Sequence, residues 1–145
     1  MLLGKDDIAR LIPHAGTMCL LDGVVRWDAD SIRCSATSHN DRDNPLRIAG
    51  RLPIMSGIEY ASQAMALHGG LSGAVARRPR MGYLASLRGV VCHAAYLDGV
   101  AADLVIDIEK LMDGGSQAVY QFTLGTEARK LMRGRAAVVL EAEPS

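Results

Sequence analysis

The sequence predicts an α+β fold in which a curved antiparallel sheet wraps around one long central helix. Residues 56–69 predict a helix that is apolar on nearly all sides and therefore needs cover on nearly all sides. Two strand-like segments precede this helix, and about four follow it with period-two alternation. The same pattern could also fit another α+β layer arrangement. The wrapped arrangement is favoured because it covers the apolar surface of the helix on more sides.

The segments before the central helix predict a short helix, a hairpin and a loop. An amphipathic helix is expected from about Asp6 to Leu11, where a nearby proline stops it. Met18–Trp27 is apolar and β-prone, and Ser31–Ser38 alternates apolar with polar residues after a turn at Asp28–Asp30. Residues 39–53 have no sustained period, which indicates a long loop of the kind that is often functional.

The chain after the helix is a nearly continuous β region. Strands are predicted over Gly82–Ala94, Val100–Met112, Gln117–Leu124 and Lys130–Glu141. The run Asp113-Gly114-Gly115 is typical of a tight turn between two of them. Since 145 residues with 49% hydrophobic content suffice for one core and no linker interrupts them, residues 1–145 are expected to form a single domain.

Charge and cysteine content argue against several classes of function. Sixteen basic residues balance sixteen acidic ones, which gives no case for nucleic acid or an anionic membrane as the main partner. Cys19, Cys34 and Cys92 are odd in number and widely spaced, so we expect reduced thiols rather than disulfides or a metal site. No apolar run reaches about 18 residues and no secretory signal is recognisable, which predicts a cytoplasmic protein. We expect no cofactor.

The start of the central helix carries the most informative polar residues. Glu59 and Gln63 lie one helical turn apart on an otherwise apolar helix. A buried carboxylate is costly unless it is paired or functional, so Glu59 is the first functional candidate. Ser56 and Glu59 also fit a capping box, a purely structural alternative. Gln63 could likewise do no more than satisfy backbone groups in the core.

Three segments carry a resemblance to a known family. The first is Ile12-Pro13-His14 with the apolar residues 18–24, and the second is Pro53-Ile54-Met55 leading through Gly57 into a Glu-x-x-x-Gln helix. The third is the strand segment 82–88. Together they resemble the hotdog-fold β-hydroxyacyl-acyl-carrier-protein dehydratases. More narrowly, residues 44–60 resemble predicted dehydratases linked to aryl-polyene-type biosynthetic clusters.

The resemblance implies a hotdog fold and the dehydration of a 3-hydroxyacyl thioester, as in fatty acid biosynthesis. In such enzymes a loop histidine and a helix acid from the neighbouring subunit act together, which puts Glu59 in the place of the acid. The family's Gly-His-Phe-Pro-Gly motif is absent here. Of the four histidines only His39 lies in the corresponding loop, so His39 is the candidate base.

Further residues are candidates for substrate binding. The backbone N–H groups of Gly57 and Ile58, at the helix start, could polarise a thioester carbonyl. Gln63 and His14 could line the same site. The only dense basic run is a candidate docking point for an acidic acyl-carrier protein or for the phosphates of coenzyme A, with a solvated loop as the alternative. It consists of Arg77, Arg78 and Arg80.

The resemblance also implies a homodimer or an assembly of dimers, which would remove exposed sheet edges. Two other functions stay open at this point. One is thioester hydrolysis, in which Glu59 would orient a water molecule. The other is a catalytically silent hotdog subunit that binds an acyl chain or pairs with an active homologue, as the missing histidine motif would permit.

Overall fold

The structure, a computed structural model, describes residues 2–12, 18–76 and 80–142. Its helices are α1 (Lys5–Leu11) and α2 (Gly57–Ala76). Its strands are β1 (Gly23–Trp27), β2 (Ser31–Ala36), β3 (Arg80–Cys92), β4 (Leu104–Asp113), β5 (Gln117–Gly125) and β6 (Lys130–Ala142). The described residues also include the 3-10 helix Ser38–Asn40, which overlaps the start of the segment predicted as a loop, and the 3-10 helix Ile54–Ser56, which directly follows that segment.

The strands form one antiparallel sheet in the order β1-β2-β4-β5-β6-β3. β3 follows α2 in the chain but pairs with β6 at the far edge of the sheet. The chain therefore crosses the sheet through α2, which contacts β2, β3, β4 and β5. This is the predicted arrangement of a curved antiparallel sheet around one long helix.

Alternation along the strands decides which side chains cover α2. The buried residues of β2 and β4 lie opposite one another, whereas the residues between them are less buried. The opposed buried pairs are Ile32 with Ile108, Cys34 with Ile106, and Ala36 with Leu104. The period-two pattern read from the sequence therefore identifies the helix-facing side of these strands.

The central helix is longer than predicted, because it continues past Gly69 and Gly70 to Ala76. A Cβ at Gly70 would lie 3.3 Å from the carbonyl oxygen of Leu11 at the end of α1. Gly70 therefore permits α1 to pack closely on α2 and does not end the helix. Neither helix in the described ranges is long and apolar enough to cross a membrane.

Candidate active site

Glu59 lies half-buried in the first turn of α2, where the 3-10 turn Ile54–Ser56 runs directly into the helix. Gly57 brings this turn close to the sheet. A Cβ at that position would lie 3.3 Å from Sδ of Met132 and 3.4 Å from Cδ1 of Leu124. The helix start therefore rests on β5 and β6, and the sheet fixes the depth at which Glu59 is presented.

The capping box that Ser56 and Glu59 could have formed is not present. The N–H of Ser56 donates to the carbonyl of Pro53 at 3.0 Å, within the preceding 3-10 turn. In the described part of the chain, no hydrogen bond joins Ser56 to Glu59. The Glu59 carboxyl group is therefore not used to cap its own helix.

The N–H of Gly57 is already paired inside the chain. It is directed at the carbonyls of Ile54 and Met55, because the 3-10 turn continues into the helix. The sequence predicted that this N–H would be free to bind a substrate carbonyl. The sequence did not reveal the 3-10 turn, whose own carbonyls accept this N–H instead. A role for the N–H of Ile58 in polarising a carbonyl stays a prediction.

Gln63 links the helix to the segment at residues 18–20. Its side chain is fully buried. Its Oε1 accepts the N–H of Leu20 at 2.9 Å, and its Nε2 donates to the carbonyl of Met18 at 2.7 Å. The same Nε2 lies 3.4 Å from Oε1 of Glu59. Gln63 thus satisfies backbone groups in the core and also contacts the candidate acid.

A buried polar network beside Glu59 contains residues that the sequence did not single out. The hydroxyl of Tyr60 lies 2.7 Å from Oγ of Ser38 and accepts from Nδ2 of Asn44 at 3.1 Å. Oγ of Ser38 donates to the carbonyl of Leu20 at 2.7 Å, so the Tyr60 hydroxyl donates to Ser38. Burial raises the pKa of Tyr60. The network ties the loop before α2 to the helix, next to the candidate acid.

The structure does not bring His39 and Glu59 into contact within one chain. His39 is 1% exposed, and its Nε2 lies 2.9 Å from the carbonyl of Val100 and 3.1 Å from that of Ala102. Carbonyls only accept, so Nε2 carries the proton and donates to both. Its Nδ1 is buried without a partner in the described ranges. These bonds help to explain why the strand predicted from Val100 begins only at Leu104.

Other predicted site residues lie beyond what the structure describes. His14, Arg77 and Arg78 fall outside the described residues, and Arg80 is described only as the first backbone position of β3. Among the described residues, no group of three or more His, Cys, Asp or Glu side chains could hold a metal ion. The site that can be described is therefore Glu59 with its contacts to Gln63 and to the helix start.

Comparison with known proteins decides the family. A family model for ApeP-like proteins, described as ApeP dehydratase, matches residues 6–145. The chain belongs to the ApeP-like dehydratase family. This confirms the resemblance to hotdog dehydratases that the sequence motifs indicated. A search of curated proteins found no match.

Solved structures share the hotdog fold of this family member. The dehydratase heterocomplex ApeI:P from Xenorhabdus doucetiae is 23% identical, with a TM-score of 0.80 over 94% of this chain and 91% of that chain. A thioesterase from Haemophilus influenzae is 13% identical, with a TM-score of 0.68 over 100% and 98%. A hypothetical thioesterase with coenzyme A from Streptococcus pneumoniae is 13% identical, with a TM-score of 0.61 over 84% and 87%.

Proposed function

We propose that this ApeP-like protein removes water from 3-hydroxyacyl thioesters and that Glu59 transfers the proton to the leaving hydroxyl. In this reaction a base takes the proton from the α-carbon, the C–O bond at the β-carbon breaks, and the hydroxyl leaves as water. The products are an enoyl thioester and water. Membership of the dehydratase family supports the reaction type.

The position of Glu59 supports its role and is the observation on which the proposal rests. Glu59 is half-buried at the start of α2, and its carboxyl group is not used for capping and lies beside the amide of Gln63. Because Gln63 is itself fixed by two backbone groups, it can hold Glu59 in one orientation without a further conformational change. A positioned acid is what expulsion of the β-hydroxyl requires.

The base is proposed to come from a second hotdog subunit. His39 was the candidate within this chain, but its Nε2 donates to two backbone carbonyls and none of its hydrogen bonds reaches Glu59. A site completed by another subunit accounts for this arrangement. The ApeI:P structure of Xenorhabdus doucetiae is a heterocomplex, which supports a homologous but different chain as the partner, in place of the homodimer or assembly of dimers that the family resemblance implied.

Reconstitution tests this proposal. The protein is purified alone and together with a homologous hotdog subunit, and each sample is given a 3-hydroxyacyl thioester. We expect enoyl thioester from the pair, and a loss of about 10²-fold or more in kcat for Glu59→Gln, which cannot donate the proton. Glu109→Gln, a matched change at an exposed position on β4, should leave the rate unchanged. Release of free thiol would indicate a hydrolase, and unchanged substrate in both samples would indicate a silent subunit.

A further inference from the structure

Three arginines lie together on the sheet face that points away from α2. The register of β3 and β6 places Arg88 directly opposite Arg135, and Arg133 lies two residues along β6. Met132, Gly134 and Ala136 are buried on the helix side, so the arginines between them point outward. Arg88, Arg133 and Arg135 are all exposed, and we call them the outer arginine cluster.

Within the part of the chain that the structure describes, no acidic side chain pairs with this cluster. No ion pair or hydrogen bond of the three side chains occurs among the described residues. Elsewhere on the sheet, Arg33 forms ion pairs with Asp107 and Glu127. An arginine that contributes to the stability of this fold is therefore paired with acids of the same chain. Like charges directly opposite one another on neighbouring strands are destabilising. A cluster that costs stability and lacks internal counter-charges indicates an anionic partner.

The geometry of the cluster fits a protein surface better than a nucleotide. Opposed residues on adjacent strands lie about 5 Å apart, and residues two apart on one strand about 6–7 Å. Carboxylates at i and i+3 or i+4 of a helix are also about 5–6 Å apart, so one acidic helix face could meet all three arginines. A cavity of about 350 Å³ elsewhere among the described residues is lined by four acids, including Asp28 and Glu109, against one arginine, Arg26, so its net charge would repel phosphates.

We propose that the outer arginine cluster docks an acidic helix of the protein that carries the acyl thioester. This inference rests on the proposed function and narrows it, because it selects a protein carrier over coenzyme A. Exposed charges of this kind mainly raise the association rate and set specificity, so the contact should weaken steeply with salt. The acyl chain itself would enter the site beside Glu59 and would not touch the cluster.

Binding of a holo acyl-carrier protein tests the docking surface directly. The double variant R133E/R135E is compared with R10E/R42E, which makes the same charge change at two exposed positions on α1 and in the loop. The carboxylate introduced at residue 135 faces Arg88, and residue 133 is exposed, so R133E/R135E should fold. We expect its Kd for the carrier at low ionic strength to rise about tenfold or more, and the control to stay within about twofold. An unchanged Kd for R133E/R135E would overturn the inference.

Three further measurements separate this inference from its alternatives. With the second subunit present, R133E/R135E should dehydrate a carrier-free N-acetylcysteamine thioester at the wild-type rate. If the wild type also fails on that substrate, the proposed function fails independently of docking. Coenzyme A binding should be unaffected, and a parallel loss of it would favour phosphate recognition over docking. If sedimentation shows that R133E/R135E changes only the oligomeric state, the cluster is an interface between protomers and the inference is wrong.

The thermal stability of a single variant gives an independent check. Arg135→Gln removes the charge that faces Arg88. If the cluster serves docking and not the fold, relief of this repulsion should raise the Tm of the protein by about 1–4 °C. A cluster that serves the fold would instead lose stability on the same change. A clear fall in Tm for Arg135→Gln would therefore contradict the proposed role.

Discussion

The side-chain nitrogen of Gln63 lies between Glu59 and the backbone of Met18, 3.4 Å from Oε1 of the acid and 2.7 Å from the carbonyl oxygen. The shorter contact is a good hydrogen bond, and the longer one is at the weak limit. Gln63 is therefore held mainly by the backbone, and Glu59 rests against a side chain that is already fixed. This makes Gln63 a positioning residue in the proposed site.

Replacing Gln63 by leucine should destabilise the protein by about 1–3 kcal/mol, because the buried N–H of Leu20 and the part-buried carbonyl of Met18 would each lose a partner. Urea unfolding measures this change in the free energy of unfolding. Gln121→Leu, on the exposed face of β5, is the control and should change stability by less than about 0.5 kcal/mol. Equal stability of the two variants would show that the two backbone bonds do not form.

Tyr60→Phe should cost about 1–3 kcal/mol of the free energy of unfolding, because the Ser38 hydroxyl and the Asn44 amide each lose a buried partner. Tyr96→Phe provides the matched control. Tyr96 is 41% exposed and contacts Arg51 through its ring, which phenylalanine keeps. Chemical denaturation of both variants checks the prediction, and a loss below about 0.5 kcal/mol for Tyr60→Phe would mean that the network adds no stability.

Much of the fold could be predicted because period-two alternation is a local property. The hairpin of β1 and β2, the last two strands and the glycine turn after Asp113 all follow from neighbouring residues. The strand order could not be predicted in this way, because pairing of β3 with β6 depends on contacts between segments far apart in the chain. The end of α2 was missed because the reason for Gly70 is the position of Leu11, which no local pattern contains.

The candidate site could be predicted only in part. The spacing of Glu59 and Gln63 indicated a shared helix face, and their side chains are in contact. The surroundings of His39 could not be predicted, because its carbonyl partners lie about sixty residues later in the chain. The Tyr60 network was missed for the same reason. Its partner Ser38 gives no sequence signal beyond that of an ordinary loop serine.

The unfolding free energy should fall as the pH is lowered from about 7 to 5, in part because of His68. Burial lowers the pKa of His68 from its ordinary value of 6.5, and the nearby Lys110 acts in the same direction, whereas a bond to the Asp28 carbonyl and the charges of Asp28 and Asp30 oppose it. Its Nε2 donates to the Asp28 carbonyl at 2.9 Å, and its Nδ1 is buried without a partner among the described groups. The unfolded chain therefore binds this proton more readily than the folded one.

The sign follows from that difference in proton binding. Stability from neutral His68 is fully present above about pH 6.5 and is lost as the pH falls towards the lowered pKa of the folded state, by at most about 1.4 kcal/mol per pH unit. Urea unfolding of the wild type and His68→Gln at several pH values measures this. We expect the variant to have the shallower dependence between pH 7 and 5. Parallel curves would show that His68 has the same pKa in both states.

Two glycine-to-alanine changes should alter stability in opposite directions. A Cβ at Gly134 on β6 would lie 2.8 Å from Cζ of Phe122 and 3.1 Å from Cγ2 of Val90, so Gly134→Ala overpacks the core and should cost about 1–3 kcal/mol. A Cβ at Gly69 meets nothing within 4 Å, and α2 continues through this residue. Gly69→Ala should therefore stabilise the helix by about 0.5–1 kcal/mol. Thermal unfolding compares the two, and a gain for Gly134→Ala would mean that β6 lies farther from Phe122 than described.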